Sequence, residues 1–589
     1  MENWFIRNKK GDVQKISNTF NISKITAKIL INRDIADYLR IEWFLNPSID
    51  KLLAPTLMDD MELATRILME KIKNKRRIRI VGDFDVDGIM SIYILYQALK
   101  ELGARVDYVI PDRVNDGYGI NDHIILEAKA HGVDTIITVD NGIVAYEQVK
   151  LAKKMGITVI ITDHHDIPNP EDGNVFSVLP EADAILNPKK PFCNYPQKTL
   201  CGAGVVYKLV TNLFKVFGIE EKAFDYLEFV SIATICDVVD LVDENRVIVV
   251  EGLKRLNNST NLGIKALIKE SSLEGKELGV YHVGFILGPS FNATGRLDSA
   301  LVGLDLLLEE NEESASNKAK AIRDLNKDRK QMTLDGIEVI AEQVEKSYLD
   351  SKVIVAYDPN IHESIAGIIA GRIKEKYNRP TIVLTDGKEG VKGSARSIEG
   401  YNIYEELSKA KELLNRFGGH PMAAGLSLDK TSINDLRFLL NKNTTLTDID
   451  LVPKIYIDLP LTIDKIDMNL IEELKVLEPH GKGNPKPLFG VRNLGLKKIN
   501  LIGSNMNVMK LQFDDTSDIE GILFKGTDDF IDEIISTYGE EEYNKAKQGK
   551  DNIIKVDLVY SPSINEYMGR ISIQLVINNY RIPQIRERR

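Results

Sequence analysis

The sequence predicts a mixed α/β protein that begins with a doubly wound, mostly parallel sheet and ends in a small β-barrel. Three observations predict this fold class. Short apolar runs alternate with helical segments between residues 77 and 165, which is typical of a parallel sheet covered by helices. A long, charged helical stretch then leads to a second, smaller α/β unit. The final segment alternates polar and apolar residues without long helices between its strands, as small barrels do.

The first region starts with an apolar run from Arg77 to Val81, which predicts a strand. A carboxylate-rich turn follows, and then a helical stretch that ends at Gly103. RVDYVIP, DTIITVDNG and ITVIITDHH predict the next strands. Ligands of such sheets bind beyond the carboxyl ends of the strands. The residues that fall at these ends are Asp83, Asp85, Asp87, Asp140, Asp163, His164 and His165.

The rest of the chain divides into further regions. Helical periodicity after Ser290 predicts one or two long helices up to about residue 350. A glycine-rich α/β pattern runs from Lys352 to about Asn443, and strand patterns begin near Pro453. We therefore expect a mainly helical segment (1–75) packed on the first core, the first α/β domain (76–300), a helical connector (301–350), the smaller α/β domain (351–445) and the barrel (446–589).

The composition excludes some classes of protein. A formal net charge of -11 argues against binding to nucleic acid through bulk electrostatics, although local basic residues or bound cations still allow phosphate contacts. No apolar run is long enough to cross a bilayer, and the first residues lack the apolar core of a signal peptide. Cys193, Cys201 and Cys236 are not in metal-ligand spacing and are expected to be reduced thiols. We expect a cytoplasmic protein without a membrane partner.

The acidic turn Asp83-Phe-Asp85-Val-Asp87 matches the start of a calcium-binding EF-hand loop, but Ile94 stands where that loop needs a glutamate. A single aspartate after a strand is usually a helix cap, but several carboxylates at one edge would repel strongly without bound cations. Carboxylates and imidazoles without thiolates suit Mn²⁺ or Mg²⁺, and at least five ligands favour a pair of ions about 3.5–4 Å apart. The site predicts a metal-dependent hydrolase of phosphodiester bonds.

These residues, in this order, resemble the motifs of the DHH phosphoesterase superfamily, which is named for the sequence seen here as Asp163-His164-His165. GDFDVDG resembles its first motif, VDNGI the second, TDHH the third and ATICDVVDL the fourth. PDRVNDGYGIN, GPSFNATGRL, GSARS, FGGHPMAAG and LEPHGKGNPKPLF resemble signatures of the RecJ family, the 5′-to-3′ single-strand-specific DNA exonucleases of bacteria. The likeness covers nearly the whole chain, and these further signatures make the match to RecJ specific.

The resemblance implies a DHH catalytic domain and a smaller α/β DHHA1 domain, joined by a long connecting helix around a cleft and followed by an OB-fold that holds single-stranded DNA. Asp83 is expected to be catalytic, either as a metal ligand or by orienting one, and Asp163 to orient the histidines beside it. By matching position, the catalytic ligands of two Mn²⁺ ions, for which Mg²⁺ is a possible substitute, would be Asp85, Asp87, Asp140, His164, His165 and Asp237.

The resemblance also implies a pocket for the 5′-phosphate of the substrate. Arginine recognises phosphate in a bidentate manner, and the glycine-rich GSARS segment lets backbone N–H groups approach phosphate oxygens. His420, in GGHPMAAG, is a candidate catalytic contact to the scissile phosphate, and Tyr567 is a candidate for stacking on bases along the barrel. The residues that match the 5′-phosphate pocket are Arg113, Arg296, Ser394 and Arg396.

The chain departs from the family pattern at several positions. Ser290 replaces a common arginine, Asp240 a proline and His480 a phenylalanine. Residues 361–364, which read Ile-His-Glu-Ser, lack the usual tryptophan and glycine, and Tyr567 replaces a tryptophan. None of these positions is an expected metal ligand. We therefore expect the catalytic chemistry of the family to be retained and the binding of substrate to differ.

The expected function is a single-stranded-DNA-specific exonuclease that degrades 5′ to 3′ to 5′-mononucleotides in DNA repair and recombination. Two alternatives stay open: a DHH phosphatase for short RNA or cyclic dinucleotides, and a non-catalytic single-strand-binding subunit. The long connector and the barrel disfavour the first, and the full ligand set disfavours the second. The family implies a monomer that acts on single-stranded DNA, with a single-strand-binding protein and a RecQ-type helicase as further candidate partners.

Overall fold

The computed structural model describes residues 2–113, 117, 119–168, 179–388, 390–503, 506–514, 516–567 and 569–584. The side chains of residues 516–518, 567 and 570 lie outside that description. The chain forms two compact units. One unit is Pro47–Leu451, and the other combines Met1–Asn46 with Val452–Arg589.

The N-terminal segment belongs to the second of these units. Its first strand pairs in parallel with the strand Lys454–Ile457, and its helices share a hydrophobic core with the C-terminal residues. The prediction that residues 1–75 pack on the catalytic core is therefore wrong for Met1–Asn46, because helical periodicity identifies a buried face but not the domain that covers it. The elements of the segment are β1 (Asn3–Ile6), α1 (Val13–Phe20), α2 (Lys24–Asn32) and α3 (Tyr38–Leu45).

The predicted doubly wound sheet is confirmed. Five parallel strands lie in the order β3-β2-β4-β5-β6, and they are β2 (Arg77–Val81), β3 (Arg105–Val109), β4 (Thr135–Val139), β5 (Thr158–Thr162) and β6 (Ala184–Leu186). Separate hydrophobic cores cover the two faces. The helices of this region are α4 (Met61–Lys73), α5 (Val86–Glu101), α6 (Asp122–Ala130), α7 (Tyr146–Lys154), α8 (Gly202–Val216), α9 (Leu227–Cys236), α10 (Asp243–Leu256) and α11 (Leu262–Glu270).

The strand order determines where the predicted metal-binding residues lie. The chain moves from β2 to β3 on one side and then returns to β4 on the other side of β2. This reversal opens a crevice beyond the carboxyl ends of β2 and β4, which is where open α/β sheets bind ligands. The residues that follow these two strands therefore lie side by side.

A long helix connects the two α/β domains of this unit. Short helices α12 (Val280–His282), α13 (Gly288–Leu297) and α14 (Leu301–Leu307) come first. The connecting helix α15 (Glu312–Ser347) has 36 residues, which corresponds to roughly 54 Å. Among the helices of the described residues, none has both the length and the apolar character needed to cross a membrane.

The smaller α/β domain is a mixed sheet with strand order β10-β11-β9-β8-β7. Of the strand pairs that the structure describes in this sheet, only β7–β8 is parallel. Its strands are β7 (Ile354–Tyr357), β8 (Thr381–Gly387), β9 (Gly390–Arg396), β10 (Arg416–His420) and β11 (Ala423–Leu428). Its helices are α16 (Ala366–Tyr377), α17 (Ile403–Lys409) and α18 (Ile433–Asn443).

The predicted C-terminal barrel is also confirmed. It closes because β14 pairs with β15 on one side and with β17 on the other, so five strands form a ring without a free edge. The strands of the ring are β14 (Phe489–Ile502), β15 (Val508–Phe513), β16 (Thr516–Leu523), β17 (Lys555–Tyr567) and β18 (Arg570–Arg581). Two further strands of this region, β12 (Lys454–Ile457) and β13 (Leu459–Pro460), pair with β1 and β14. The helices are α19 (Met468–Leu474), α20 (Thr527–Tyr538) and α21 (Glu540–Gln548).

Candidate active site

Three of the predicted metal-binding residues come from the turn between β2 and α5. Asp83 is buried just after the strand, Asp85 is the N-cap of α5, and Asp87 lies in the first turn of that helix. The carboxylate of Asp87 accepts hydrogen bonds from the backbone N–H groups of Gly202 and Ala203, at 2.6 and 2.7 Å. These groups begin α8, where the helix dipole favours a negative charge. The start of α8 therefore holds Asp87 in place without neutralising it.

The ends of β4 and β5 bring the other predicted ligands to the same edge. Asp140 is buried, and its backbone has a φ of 62°, in the left-handed region. The Nε2 atom of His164 lies 3.1 Å from Oδ1 of Asp140 and 3.7 Å from Oδ2 of Asp87. The Nδ1 atom of the same ring lies 3.7 Å from Oδ2 of Asp237, which directly follows α9. Nδ1 of His165 lies 4.0 Å from Oδ1 of Asp140.

These residues form three overlapping groups of possible metal ligands. In each group the ligand atoms lie within 4.8 Å of one another, and Asp140 and His164 each belong to two groups. One Asp83 oxygen, Oδ1, is buried without a hydrogen-bond partner among the described residues, which suits a carboxylate that faces a cation. Oxygen and imidazole ligands without thiolates fit Mn²⁺ or Mg²⁺. The groups are Asp140–His164–His165, Asp87–His164–Asp237 and Asp83–Asp85–Asp140.

The electrostatics of the cluster also favour bound cations. Burial raises the pKa of Asp87 to about 6, with the charge of Asp85 acting in the same direction. Burial also raises the pKa of Asp237 to about 8, and neighbouring carboxylates add to this shift. Burial lowers the pKa of His164 to about 3, with the charge of His165 adding to it. Without cations the cluster therefore resists ionisation, and divalent ions would reverse that tendency.

Asp163 has a different place from the other aspartates. Its Oδ2 accepts a hydrogen bond from the backbone N–H of Ile143 at 2.9 Å. Its Oδ1 accepts from the backbone N–H of His164 and lies 2.8 Å from Nδ1 of His165. Although burial raises the pKa of Asp163, the contact with His165 lowers it below its ordinary value. With both oxygens bound to protein groups, this residue is suited to orient the histidines rather than to hold a metal.

Two residues of the predicted phosphate pocket, Arg113 and Ser394, line a cavity of 310 Å³ between the first α/β domain and the smaller one. The cavity is also lined by Phe84, Ser364 and the ion pair of Lys392 with Glu363, whose charged atoms lie 2.8 Å apart. Arg296 and Arg396 are not among its lining residues. The guanidinium of Arg113 lies 4.5 Å from the centre of the Phe84 ring. The charges of Asp83 and Asp85 act on Arg113, so the cavity adjoins the carboxylate cluster.

The three predicted arginines form no direct ion pair with a carboxylate among the described residues. The charges of Asp83, Asp85 and Glu363 nevertheless act on Arg113. Nη1 of Arg296 donates to the carbonyl of Ser364, and Nη1 of Arg396 donates to the carbonyl of Ala395 at 2.8 Å. Burial lowers the pKa of Arg296 to about 9, and the charge of Arg113 acts in the same direction. Buried guanidinium groups held by neutral acceptors are chemically suited to an anion.

Sequence reasoning missed the start of α16, which also faces this pocket. Ala366 lines the cavity, and no side chain caps the helix. Among the described residues, the N–H groups of Ala366 and Gly367 form no hydrogen bond, which leaves them available to an anion. A Cβ atom on Gly367 would lie 2.8 Å from Nη2 of Arg396 and 3.3 Å from Oγ of Ser394. The only signal in the sequence was a glycine at a helix start, which does not identify the opposing arginine.

Of the two remaining predicted residues, the structure describes the side chain of His420 but not that of Tyr567. His420 ends β10. Its side chain is exposed, and the strand register places it across β11 from Arg396, because Ala423 pairs with both residues. Partial desolvation lowers the pKa of His420, and the charges of His165 and Arg396 act in the same direction. The side chain of Tyr567 lies outside the described residues.

Replacing Gly202 by alanine should damage the metal cluster. The new Cβ atom would lie 2.6 Å from Cβ of Asp140, so either the carboxylate or α8 must move. We expect a loss of about 1–3 kcal/mol in the free energy of unfolding and a weaker response to Mn²⁺ in thermal denaturation. Gly204→Ala on the same helix is the control, because its Cβ would meet its nearest atom at an ordinary 3.4 Å. Equal Mn²⁺ responses in the two variants would contradict this prediction.

Chelator-treated protein should become less stable as the pH rises from 6.5 to 9. Burial and neighbouring carboxylates raise the pKa of Asp237 to about 8. Although burial lowers the pKa of His165, its hydrogen bond to Asp163 raises that pKa to about 9. A group whose pKa is raised by folding stabilises the folded state at low pH, and this stabilisation is lost as pH rises through the raised value. The lowered pKa of His164, about 3, acts only below pH 6.5. Melting temperatures in a chelator across this range measure the effect. Asp237→Asn should reduce the slope of melting temperature against pH. An unchanged slope would contradict the raised pKa of Asp237.

Three parts of the chain match known domain families. Residues 77–234 match the DHH family, N-terminal domain, and residues 350–444 match the DHHA1 domain. Residues 457–579 match the RecJ OB domain. The metal cluster is built mainly within the first of these regions, and the phosphate pocket lies between the first two.

Known proteins resemble the chain over most of its length. It is 36% identical to the single-stranded-DNA-specific exonuclease RecJ of Bacillus subtilis (strain 168) over 590 residues, which covers 99% of this chain and 71% of that protein. It is 33% identical to RecJ of Escherichia coli (strain K12) over 562 residues, which covers 91% of this chain and 92% of that protein.

Solved structures show the same architecture. The structure of RecJ from Thermus thermophilus in complex with Mn²⁺ matches with a TM-score of 0.82 and 24% identity, over 99% of this chain and 80% of that one. An exonuclease RecJ bound to manganese matches with a TM-score of 0.59 and 29% identity, over 67% of this chain and 97% of that one. With the matched domains and the identity to full-length relatives, these likenesses lead to one conclusion: the chain belongs to the RecJ family of single-stranded-DNA-specific exonucleases, within the DHH superfamily.

Proposed function

We propose that this exonuclease degrades single-stranded DNA from the 5′ end and releases 5′-mononucleotides by two-metal phosphodiester hydrolysis. The observation that carries the proposal is the adjacency of a carboxylate–imidazole cluster and a group of arginines that form no direct ion pair among the described residues. Arg113 links the two, because it lines the pocket and experiences the charges of Asp83 and Asp85. A strand whose terminal phosphate occupies the pocket would present a phosphodiester bond to the cluster.

The metal site would hold two Mn²⁺ ions, with Mg²⁺ as a possible substitute. When bound, such ions lower the pKa of water and neutralise charge on the phosphate oxygens. Asp163 would keep the rings of its neighbouring histidines in position, and Asp83 would serve as a ligand or orient one. The residues proposed as ligands are Asp85, Asp87, Asp140, His164, His165 and Asp237.

The pocket would bind the 5′-phosphate of the DNA strand. Arg113, Arg296 and Arg396 would supply the charge, while Ser394 and the first N–H groups of α16 would add hydrogen bonds. His420 would contact the scissile phosphate, since it lies across β11 from Arg396 and the charge of His165 acts on it. Selectivity for a single strand would follow if the path between the two domains excludes a duplex.

The barrel would hold the downstream nucleotides, with Tyr567 stacking on bases. We place the protein, as a monomer, in DNA repair and recombination on the basis of its family. A single-strand-binding protein and a RecQ-type helicase are the partners proposed there. We propose that the protein acts in the cytoplasm, the compartment that holds the DNA it would degrade.

The decisive test is degradation of single-stranded DNA labelled at one end, in the presence of Mn²⁺. We expect stepwise release of 5′-mononucleotides from the 5′ end, with no degradation of blunt duplex. The Asp85→Ala, His164→Ala double variant should be inactive, which excludes a contaminating nuclease. Release from the 3′ end, or cleavage of dinucleotides without cleavage of DNA, would refute the proposal.

Gly367→Ala should weaken the recognition of a phosphorylated 5′ end. Its methyl group would approach Arg396 and Ser394 within the pocket, so we expect KM for 5′-phosphorylated DNA to rise roughly tenfold, the effect of losing one hydrogen bond to a charged group. Gly371→Ala on the same helix is the matched control, because a Cβ there would meet no atom within 4 Å. Steady-state kinetics with phosphorylated and unphosphorylated oligonucleotides separate the two. Equal KM values for both variants would remove α16 from the proposed pocket.

A further inference from the structure

Lys189 lies at the same edge of the first sheet as the metal cluster, on the segment that follows β6. Because β6 pairs in parallel with β5, the residues after these two strands lie side by side. The buried side chain of Asn187 joins the two segments. Its Nδ2 donates to the carbonyl of His165 at 3.0 Å, and its Oδ1 accepts from the backbone N–H of Lys189 at 2.8 Å. The backbone of Lys189 is therefore fixed beside that of His165.

The side chain of Lys189 forms an ion pair that is open to solvent. Its Nζ atom lies 2.8 Å from Oδ1 of Asp166, the residue directly after His165. The side chain of Asp166 is 75% exposed, and that of Lys189 is 29% exposed. Water and salt screen the attraction in such a pair, and the ammonium group sits on a flexible four-carbon chain. A DNA phosphate at the cluster can therefore replace the carboxylate as its partner.

The neighbouring lysines of this segment serve the fold. Lys190 is buried, and its Nζ atom lies 2.7 Å from Oδ2 of Asp60. Nζ of Lys198 donates to the carbonyl of Pro188 at 2.9 Å. These contacts hold the backbone on both sides of Lys189, so its side chain extends from a fixed position at the edge of the metal cluster.

The charges around the cluster indicate which end of it Lys189 adjoins. Arg113, which lines the phosphate pocket, experiences the charge of Asp83. Groups of possible metal ligands connect Asp83 through Asp140 to His164. The charge of Lys189 is among those that lower the pKa of His164, after burial and the charge of His165. A strand that enters the pocket with its 5′ end and crosses the cluster would therefore leave it on the side of Lys189.

We propose that Lys189 is a further substrate-binding residue, which contacts the DNA phosphate on the 3′ side of the scissile bond. Asp166 holds the ammonium group beside the cluster until DNA binds. This inference rests on the proposed 5′-to-3′ function, because the direction of the strand determines which phosphate meets Lys189. It extends that function by adding a positive charge at the end of the cluster opposite the arginine pocket.

The test measures release of the first nucleotide from 5′-phosphorylated single-stranded DNA in the presence of Mn²⁺. One oligonucleotide has only natural linkages, and a second carries a neutral methylphosphonate between nucleotides 2 and 3. For the unmodified protein we expect the methylphosphonate to raise KM roughly tenfold, the effect of losing one hydrogen bond to a charged group. Lys189→Ala should raise KM for the natural DNA by a similar factor. In this variant the methylphosphonate should cause no further rise, because the contact is already lost.

Lys153→Ala is the matched control. Lys153 pairs with Asp183 at 2.6 Å, and its side chain is 36% exposed. This pair lies before β5 and β6, at the opposite edge of the same sheet, so the variant should keep the KM values of the unmodified protein for both oligonucleotides.

Asp166→Asn separates a binding role of Lys189 from a structural role of its ion pair. The variant removes the carboxylate that competes with DNA and keeps the ammonium group, so it should not raise KM for the natural DNA. A rise like that of Lys189→Ala would show that the ion pair supports the fold, and would overturn the proposal.

The outcomes distinguish this inference from the proposed function. If Lys189→Ala retains the full response to the methylphosphonate, Lys189 does not contact that phosphate, and the inference alone fails. If the unmodified protein releases no nucleotide from the 5′ end, the proposed function fails and this inference fails with it.

Discussion

The catalytic edge depends on holding buried carboxylates close together against their mutual repulsion. Among the described residues, Asp83, Asp87 and Asp237 form no ion pair with lysine or arginine, and a carboxylate paired in that way would attract a metal cation less strongly. Backbone groups hold them instead: the start of α8 binds Asp87, and N–H groups after β4 and β5 bind Asp163. Partial positive charges of this kind orient an anion while leaving its formal charge in place.

The arginine pocket also holds its charged groups through neutral backbone groups, but here the charges are positive. Carbonyl oxygens orient Arg296 and Arg396, and neither guanidinium is neutralised by a carboxylate among the described residues. The two sites are therefore complementary in charge, since one is suited to cations and the other to an anion. A phosphate ester with its divalent ions would satisfy both at once, and Arg113 lines the pocket while the charges of the acidic cluster act on it.

Local sequence predicted the part of this site in which each side chain directly follows a strand. Asp83, Asp85, Asp87, Asp140 and the two histidines could be brought together from strand order alone. Asp237 and the arginines came only from the family resemblance, because an aspartate after a helix, or a single arginine, has no distinguishing local pattern. The contacts of Gly202 and Gly367 depend on elements distant in sequence. For the same reason the N-terminal helices could be recognised, but not the core that they join.

The N-terminal strand β1 lies beside β12, some four hundred and fifty positions later in the chain. The catalytic unit, Pro47–Leu451, is thus inserted between two parts of another unit. During synthesis from the N-terminus, Pro47–Leu451 emerges complete before the barrel strands that the first 46 residues require. The apolar faces of α1 to α3 must stay uncovered throughout that interval. The slowest and most aggregation-sensitive step of biogenesis should therefore be the assembly of this discontinuous unit rather than the formation of the active site.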